Sequence, residues 1–336
     1  MKKKVLLVGC DEDNHSVIDF YMKIVETVFH NKEYEIRYVT TRIAHEYDKS
    51  TPVFVVTCSD AVKWRIKGFK NIIFWSQGII PEESRLRHNS TARYIVLSLL
   101  EKYALQKSKV CLFVSHYQCE YYENKYRIKL KEKAFFMPCY NCEIEESSFQ
   151  NEGKYLNNVF CYVGSLAKWQ CFDETVDYFK NIQKKVPNAE LRVFTPSIDE
   201  ARQIIKDKGI INAQVKYVKQ EHLSDELRSC KFGFIIREDI AINNVATPTK
   251  LSTYLSNGLI PIVSKCIKEF ELMLNDLHYK VILNNNQDIN EVVSLSEENI
   301  ECSSVLNEYK MFYDRYYNTS LYVKYLSGHI EKIMQL

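Results

Sequence analysis

"REDIAINNVATPTKLSTYLSNGLIPIVS", residues 237–264, is the stretch whose reading decides the fold. A short apolar run, Phe232-Gly-Phe-Ile-Ile236, precedes it, and a second, Ile260 to Ser264, closes it. Runs of this length bounded by polar turns are the pattern of strands buried on both faces of a parallel sheet. Between them Pro248 to Ser256 is amphipathic and Gly258 follows it, so a helix links one strand to the next. Arg237 and Glu238 then lie at a strand's carboxyl end, and Lys250 lies in the first turn of the helix. The helix dipole disfavours a lysine there unless an anion is bound beside it.

The alternation continues upstream. Strands are expected at Asn158 to Gly164, Glu190 to Thr195 and Gln214 to Val218, with helices at Asp173 to Lys185, Ile198 to Lys208 and His222 to Cys230. A separate series opens the chain. Its strands are expected at Lys4 to Gly9, Tyr34 to Thr40, Pro52 to Cys58, Asn71 to Trp75 and Val110 to Ser115, with helices at Asn14 to His30 and Ser90 to Gln106. Strands alternating with helices predict two successive doubly wound α/β domains, with a polar linker near Asn151-Glu-Gly153. The end of the chain, Asn307 to Gln335, reads as largely helical.

The totals agree with a globular protein of two domains. The chain has 336 residues, 46% hydrophobic and 26% charged, with a net charge of +2. Neither its size nor its charge balance calls for nucleic acid. Eleven cysteines, scattered through apolar strands, read as free buried thiols in a reducing compartment. Cys139-Tyr-Asn-Cys142 has zinc-like spacing but no second pair, so no metal is expected there. No apolar run approaches a membrane span, and a cytoplasmic protein is expected.

In open α/β sheets, ligands bind beyond the carboxyl ends of strands. In the second domain the loops at those ends carry Gly164, Ser165 and Lys168, then Thr195, then Arg237 to Thr249, with Pro248, Thr249 and Lys250 at the helix start. Cations, hydroxyls and backbone amides on one rim suit a diphosphate, with no metal or other cofactor required. Asp11-Glu12-Asp13, the nearest approach to a metal-binding aspartate pair, belongs to an N-terminal loop. The plainer alternative is that Arg237 pairs with Glu238 and Lys250 is solvated.

The stretches "CYVGSLAKWQCFDETVDYF" (161–179), "LSDELRSCKFGFIIRED" (223–239) and "TPTKLSTYLSNGLIPIVS" (247–264) resemble the retaining GT-B glycosyltransferases. That family includes many enzymes of bacterial surface polysaccharides such as capsule and O-antigen. "FVSHYQCEYYENKY" (113–126) and "MPCYN" (137–141) resemble the end of its N-terminal domain. The resemblance implies two Rossmann-like domains facing across a cleft: an acceptor domain at 1–150, a nucleotide-sugar domain at 151–312, and a final helix, 313–336, returning to the first domain. It implies a nucleotide-sugar donor, UDP- or GDP-linked, and a glycan or lipid-linked glycan acceptor. Gly164, Ser165 and Lys168 would lie near the donor phosphates, and Thr195 near the base. Arg237 and Lys250 would neutralise the leaving diphosphate, and Glu238 would face the donor sugar. Thr253 stands where the family usually has a glutamate that binds the nucleotide ribose. Two other readings share the fold: a binding subunit with little catalysis, and a nucleotide-sugar 2-epimerase.

On the N-terminal side, "WSQGIIPEESRLRHNS" (75–90) follows a strand and reads as an acceptor loop, with Gln77, Gly78 and Glu82 toward sugar hydroxyls; a solvated helix start is the alternative. His116, just past another strand, is a further acceptor-side candidate. Residues 116–136 interleave tyrosines with lysines and arginine, a pattern suited either to peripheral contact with the inner face of a membrane or to an ordinary solvated surface.

Overall fold

The computed structural model describes residues 3–8, 16–151, 153–284 and 289–335. The chain divides into two compact units, Met1–Cys139 with Asn318–Leu336, and Tyr140–Tyr317. The 9–15 loop, with Asp11 and Asp13, lies outside the described residues.

The first unit holds six parallel strands: β1 (Lys4–Val8), β2 (Glu35–Tyr38), β3 (Val53–Val55), β4 (Ile72–Ser76), β5 (Val110–Phe113) and β6 (Ala134–Phe136). Their spatial order is β2-β1-β3-β4-β5-β6. Its helices are α1 (Ser16–His30), α2 (Cys58–Ile66), α3 (Ile80–His88), α4 (Thr91–Lys107) and α5 (His116–Tyr126). The third strand ends at Val55, earlier than its apolar run suggests. Thr57 caps α2 by accepting the Asp60 N–H at 3.1 Å, and Cys58 becomes helical. β6 escapes a periodicity reading because it is only three residues long and follows the charged Lys131-Glu132-Lys133.

The second unit holds β7 (Val159–Val163), β8 (Glu190–Phe194), β9 (Ala213–Lys216), β10 (Phe232–Ile235), β11 (Ile260–Ser264) and β12 (Val281–Leu283), in the order β12-β11-β10-β7-β8-β9 and again all parallel. Its helices are α6 (Phe172–Lys185), α7 (Ile198–Asp207), α8 (Gln220–Leu227), α9 (Ala241–Asn244), α10 (Lys250–Ser256), α11 (Lys268–Met273), α12 (Asn290–Glu297) and α13 (Cys302–Tyr316). The last helix, α14 (Thr319–Met334), belongs to the first unit and packs on α1, where Lys32 pairs with Glu331.

Packing within the second unit fixes where α10 presents its side chains. Phe160 stacks on Phe232 at 4.5 Å and on Phe234 at 5.6 Å across β7 and β10. Gly233 between them leaves room for Tyr254, since a Cβ there would lie 2.5 Å from the Tyr254 ring. The Tyr254 hydroxyl donates to the Phe234 carbonyl and accepts the Val163 N–H, each at 3.2 Å. One turn earlier on the same helix face stands Lys250, so this seat of Tyr254 also turns Lys250 inward.

Two other buried lysines show how this unit satisfies an ammonium. Lys154 donates to the carbonyls of Leu227 and Arg228, both at 3.3 Å, and of Asn257 at 2.5 Å. Lys231 donates to Tyr155 at 2.9 Å and Ser296 at 3.3 Å. Burial lowers the pKa of each to about 8. No two of the ten described cysteines form a disulfide with each other. Among the described residues no helix is long and apolar enough to cross a membrane, and no group of three or more His, Cys, Asp or Glu side chains could hold a metal.

Candidate active site

The strand order of the second sheet reverses between β7 and β10, which pair side by side. A crevice at the carboxyl ends of such a pair is where open α/β sheets bind ligands. Gly164 follows β7 and Arg237 follows β10. Gly164 takes φ +128°, a conformation that suits glycine, and a Cβ there would lie 3.0 Å from Cε and 3.3 Å from Nζ of Lys250. The backbone and the lysine can approach this closely only because residue 164 lacks a side chain.

Lys250 begins α10 and is 9% exposed, yet its Nζ has no hydrogen-bond partner among the described residues. It rests 4.0 Å from the centroid of the Tyr162 ring. Burial first, and then the charge of Arg237, push its pKa well below the ordinary lysine value. The Tyr162 hydroxyl donates to the Ser165 carbonyl at 2.6 Å, which pins the turn through Gly164.

Arg237 is 3% exposed. Its guanidinium donates to the Gln170 carbonyl at 3.0 Å, to the Gln170 side-chain oxygen at 2.6 Å and to the Ile236 carbonyl at 2.8 Å. Its backbone N–H donates to the Ser264 hydroxyl at 2.9 Å. Gln170 thus holds Arg237, and Glu238 is exposed. The alternative of an Arg237–Glu238 pair beside a solvated Lys250 is not the arrangement found. The buried Lys250 amine and the Arg237 guanidinium share one corner, and among the described residues no carboxylate is bonded to either, an arrangement that a bound anion would stabilise.

The remaining expected residues are distributed around this corner. Ser165 and Lys168 are exposed, and Pro248 and Thr249 are half-buried. Thr195 is buried, and its hydroxyl accepts the Ser197 N–H at 3.2 Å. The Thr253 hydroxyl donates back to the Thr249 carbonyl of its own helix at 3.2 Å. Tyr162 and Gln170 are site residues that sequence reasoning passed over. Both lie inside the 161–179 stretch, but nothing local marks a tyrosine as a platform for a lysine 88 positions away or a glutamine as a clamp for an arginine 67 positions away.

No protein-family model matches the chain, and no curated protein sequence matches it. Solved structures do resemble it. An alpha,alpha-trehalose-phosphate synthase (UDP-forming) from Burkholderia vietnamiensis superposes with a TM-score of 0.64 at 9% identity, over 99% of this chain and 98% of that one. TarM from S. aureus, in complex with fondaparinux, alpha-GlcNAc-glycerol and UDP, gives 0.61 at 10% identity, over 91% of this chain and 58% of that one, so this chain spans less than two thirds of TarM. Trehalose-6-phosphate synthase OtsA gives 0.60 at 10% identity, over 95% and 77%. The chain has the GT-B fold.

In the N-terminal unit of this GT-B fold, Gln77 and Gly78 follow β4, and His116 opens α5 after the adjacent β5. Gln77 is exposed, and the Gly78 carbonyl accepts the Tyr122 hydroxyl at 2.7 Å. His116 stacks on Phe136 at 4.0 Å. Glu82 is drawn into a network: its carboxylate accepts from Tyr121 at 2.6 Å and Tyr94 at 3.2 Å, and pairs with Lys125 at 2.6 Å. Behind it Glu101, 2% exposed, accepts from Tyr126 at 2.7 Å and lies 3.3 Å from the Tyr122 hydroxyl, whose proton goes to Gly78.

Glu101 provides a pH test of this network. Burial outweighs its hydrogen bonds and Lys125, raising its pKa to about 7. A raised carboxyl favours the folded state most below the unfolded value, and that advantage is lost as pH climbs through 7. Relative to Glu101→Gln, wild-type stability should therefore fall by roughly 3 kcal/mol between pH 4.5 and 7. Chemical denaturation of both proteins across that range measures it. A constant difference would show that Glu101 titrates like a surface carboxyl.

Proposed function

We propose that the chain is a glycosyltransferase that moves a sugar from a nucleoside-diphosphate sugar to a glycan or lipid-linked glycan acceptor. The observation that carries this reading is the unpartnered Lys250 ammonium, buried against Gly164 and Tyr162 beside Arg237 at the strand-order reversal. The fold supports it, since structures of the same fold include a UDP-forming synthase and TarM with UDP. In this reading Lys250 and Arg237 receive the charge that develops on the diphosphate as the glycosidic bond breaks, and Gly164 lets the phosphate reach backbone amides. Transfer proceeds with retention, without a protein nucleophile or a metal. The leaving phosphate takes the acceptor proton, and Glu238, exposed at the rim, faces the donor sugar. Ser165, Lys168, Thr249 and Thr253 line the donor, and Gln77, Gly78 and His116 the acceptor, while Glu82 is held by Tyr121, Tyr94 and Lys125. Synthesis of a bacterial surface polysaccharide is the setting that fits.

Thr253 favours a second reading, a binding subunit with weak catalysis, because a hydroxyl spent on its own helix holds a ribose less firmly than a carboxylate. A thermal-shift panel of UDP- and GDP-sugars, followed by turnover in chelator, separates the two. At a hundredfold excess over Kd, binding adds about 2.7 kcal/mol of stability, or a rise of roughly 5 to 10 °C for a unit of this size. Binding with turnover supports transfer, and binding without it supports the subunit. No shift with any nucleoside diphosphate or its sugars would overturn transfer and leave the subunit reading.

A further inference from the structure

The outward face of α4 is apolar where a surface helix is ordinarily polar. Ile95, Val96, Leu99 and Tyr103 are 52%, 57%, 63% and 36% exposed, and Ala92 is exposed with them. At 3.6 residues per turn, Ile95, Leu99 and Tyr103 form one stripe, with Ala92 and Val96 beside it. The opposite side of the helix packs on α2 and α3 and buries Glu101, Ala104 and Leu105. The helix is therefore apolar on both sides, which calls for a cover.

The exposed charges of α3 and α4 are of one sign. On α3 and α4 the exposed charged residues are Arg85, Arg87, Arg93 and Lys107, with His88 exposed beside them and Lys102 half-buried. The acids of these two helices turn inward: Glu101 is buried, and Glu82 is held by Lys125. Glu83 is half-buried, 2.4 Å from where a Cβ on Gly78 would stand. Asp60 on the neighbouring α2 pairs with Lys63.

We propose that the α4 face docks on an anionic phospholipid bilayer, the stripe entering the interface and the arginines and lysines meeting headgroup phosphates. A second copy of this chain is a poorer occupant, because a twofold contact would set the basic rim against itself. The 116–136 segment is a poorer membrane face. Tyr122 and Tyr126 are buried, Lys125 is paired with Glu82, and Lys133 donates to the carbonyls of Leu105, Gln106 and Ser108. The proposal does not depend on the reading of the donor site, because it is tested without turnover.

Flotation with phosphatidylcholine vesicles, with and without phosphatidylserine, is the experiment. The wild-type chain should float with the anionic vesicles, release as salt rises, and bind the neutral ones far less. Ile95→Asp with Leu99→Asp should abolish flotation at an unchanged Tm, and Arg85→Ala and Arg93→Ala should each weaken it about fivefold. Lys129→Ala with Lys131→Ala should leave it unchanged. Flotation that survives the double aspartate variant would overturn the proposal, as would equal binding to both vesicles or none to either. Sedimentation showing a dimer that Leu99→Asp dissociates, with no vesicle binding, would assign the face to a second copy instead.

Discussion

Lys250→Met should melt at a higher temperature than the wild type when empty, and should gain nothing from a nucleoside diphosphate. The amine is buried next to a guanidinium and has no hydrogen-bond acceptor among the described residues, so methionine, of similar length and without charge, removes a penalty. An unsatisfied buried polar group costs about 1 to 3 kcal/mol, which for a unit of this size is roughly 2 to 10 °C in Tm. The same substitution removes the cation that a diphosphate would meet, and turnover should fall about 100- to 1000-fold. The pH dependence follows from the depressed pKa. The unfolded chain holds this proton more tightly than the folded one, so wild-type stability rises with pH and the Tm gap to the methionine variant narrows toward the ordinary lysine pKa. Bound phosphate favours the ammonium, so affinity should weaken as pH rises past the ligand-free pKa. Calorimetry of both proteins across pH measures all three effects. A methionine variant that is less stable and still binds and turns over normally would show that Lys250 is a packing residue.

Arg237→Ala should lower kcat about 100- to 1000-fold with little change in donor KM. Charge moves onto the diphosphate only as the sugar leaves, so a guanidinium already held in place acts on the transition state more than on the bound donor. The structure gives the reason it is in place: three hydrogen bonds to Gln170 and Ile236 fix its plane. Arg237→Lys should recover only part of the rate, because an ammonium cannot reproduce the planar fork or keep both bonds to Gln170. Glu238 does not hold Arg237, so any loss in Glu238→Gln would report contact with the donor sugar. If Arg237→Ala raised KM alone, its contribution would be uniform binding and not catalysis.

The two predictions rest on different amounts of sequence information. That Arg237 ends a buried strand is legible, because the apolar run before it and the polar stretch after it are contiguous. That Gln170 and not Glu238 holds it is not legible, because the choice is made by the loop after β7, a neighbour in the sheet but 67 residues away. Glu82 behaves likewise. Its position after a strand reads as an acceptor loop, yet Tyr121 and Lys125 on α5 converge on its carboxylate. The short elements β6, β12 and α9 were hidden for a different reason: three or four residues carry no periodicity.

From the order of residues alone follow two doubly wound sheets, the carboxyl ends of their strands, where sheets of this kind bind ligands, and the charged stretch between β10 and α10. Strand and helix periods are local and survive any arrangement of neighbours. Only the tertiary structure decided that Lys250 is buried and, among the described residues, without a hydrogen-bond partner. A first-turn lysine is ordinarily free to reach water. Here Tyr254, seated against Gly233, turns that helix face inward, and the missing side chain of Gly164 leaves the space the ammonium occupies. Partners for a buried charge come from whichever strands lie beside it, and along the chain those strands are distant.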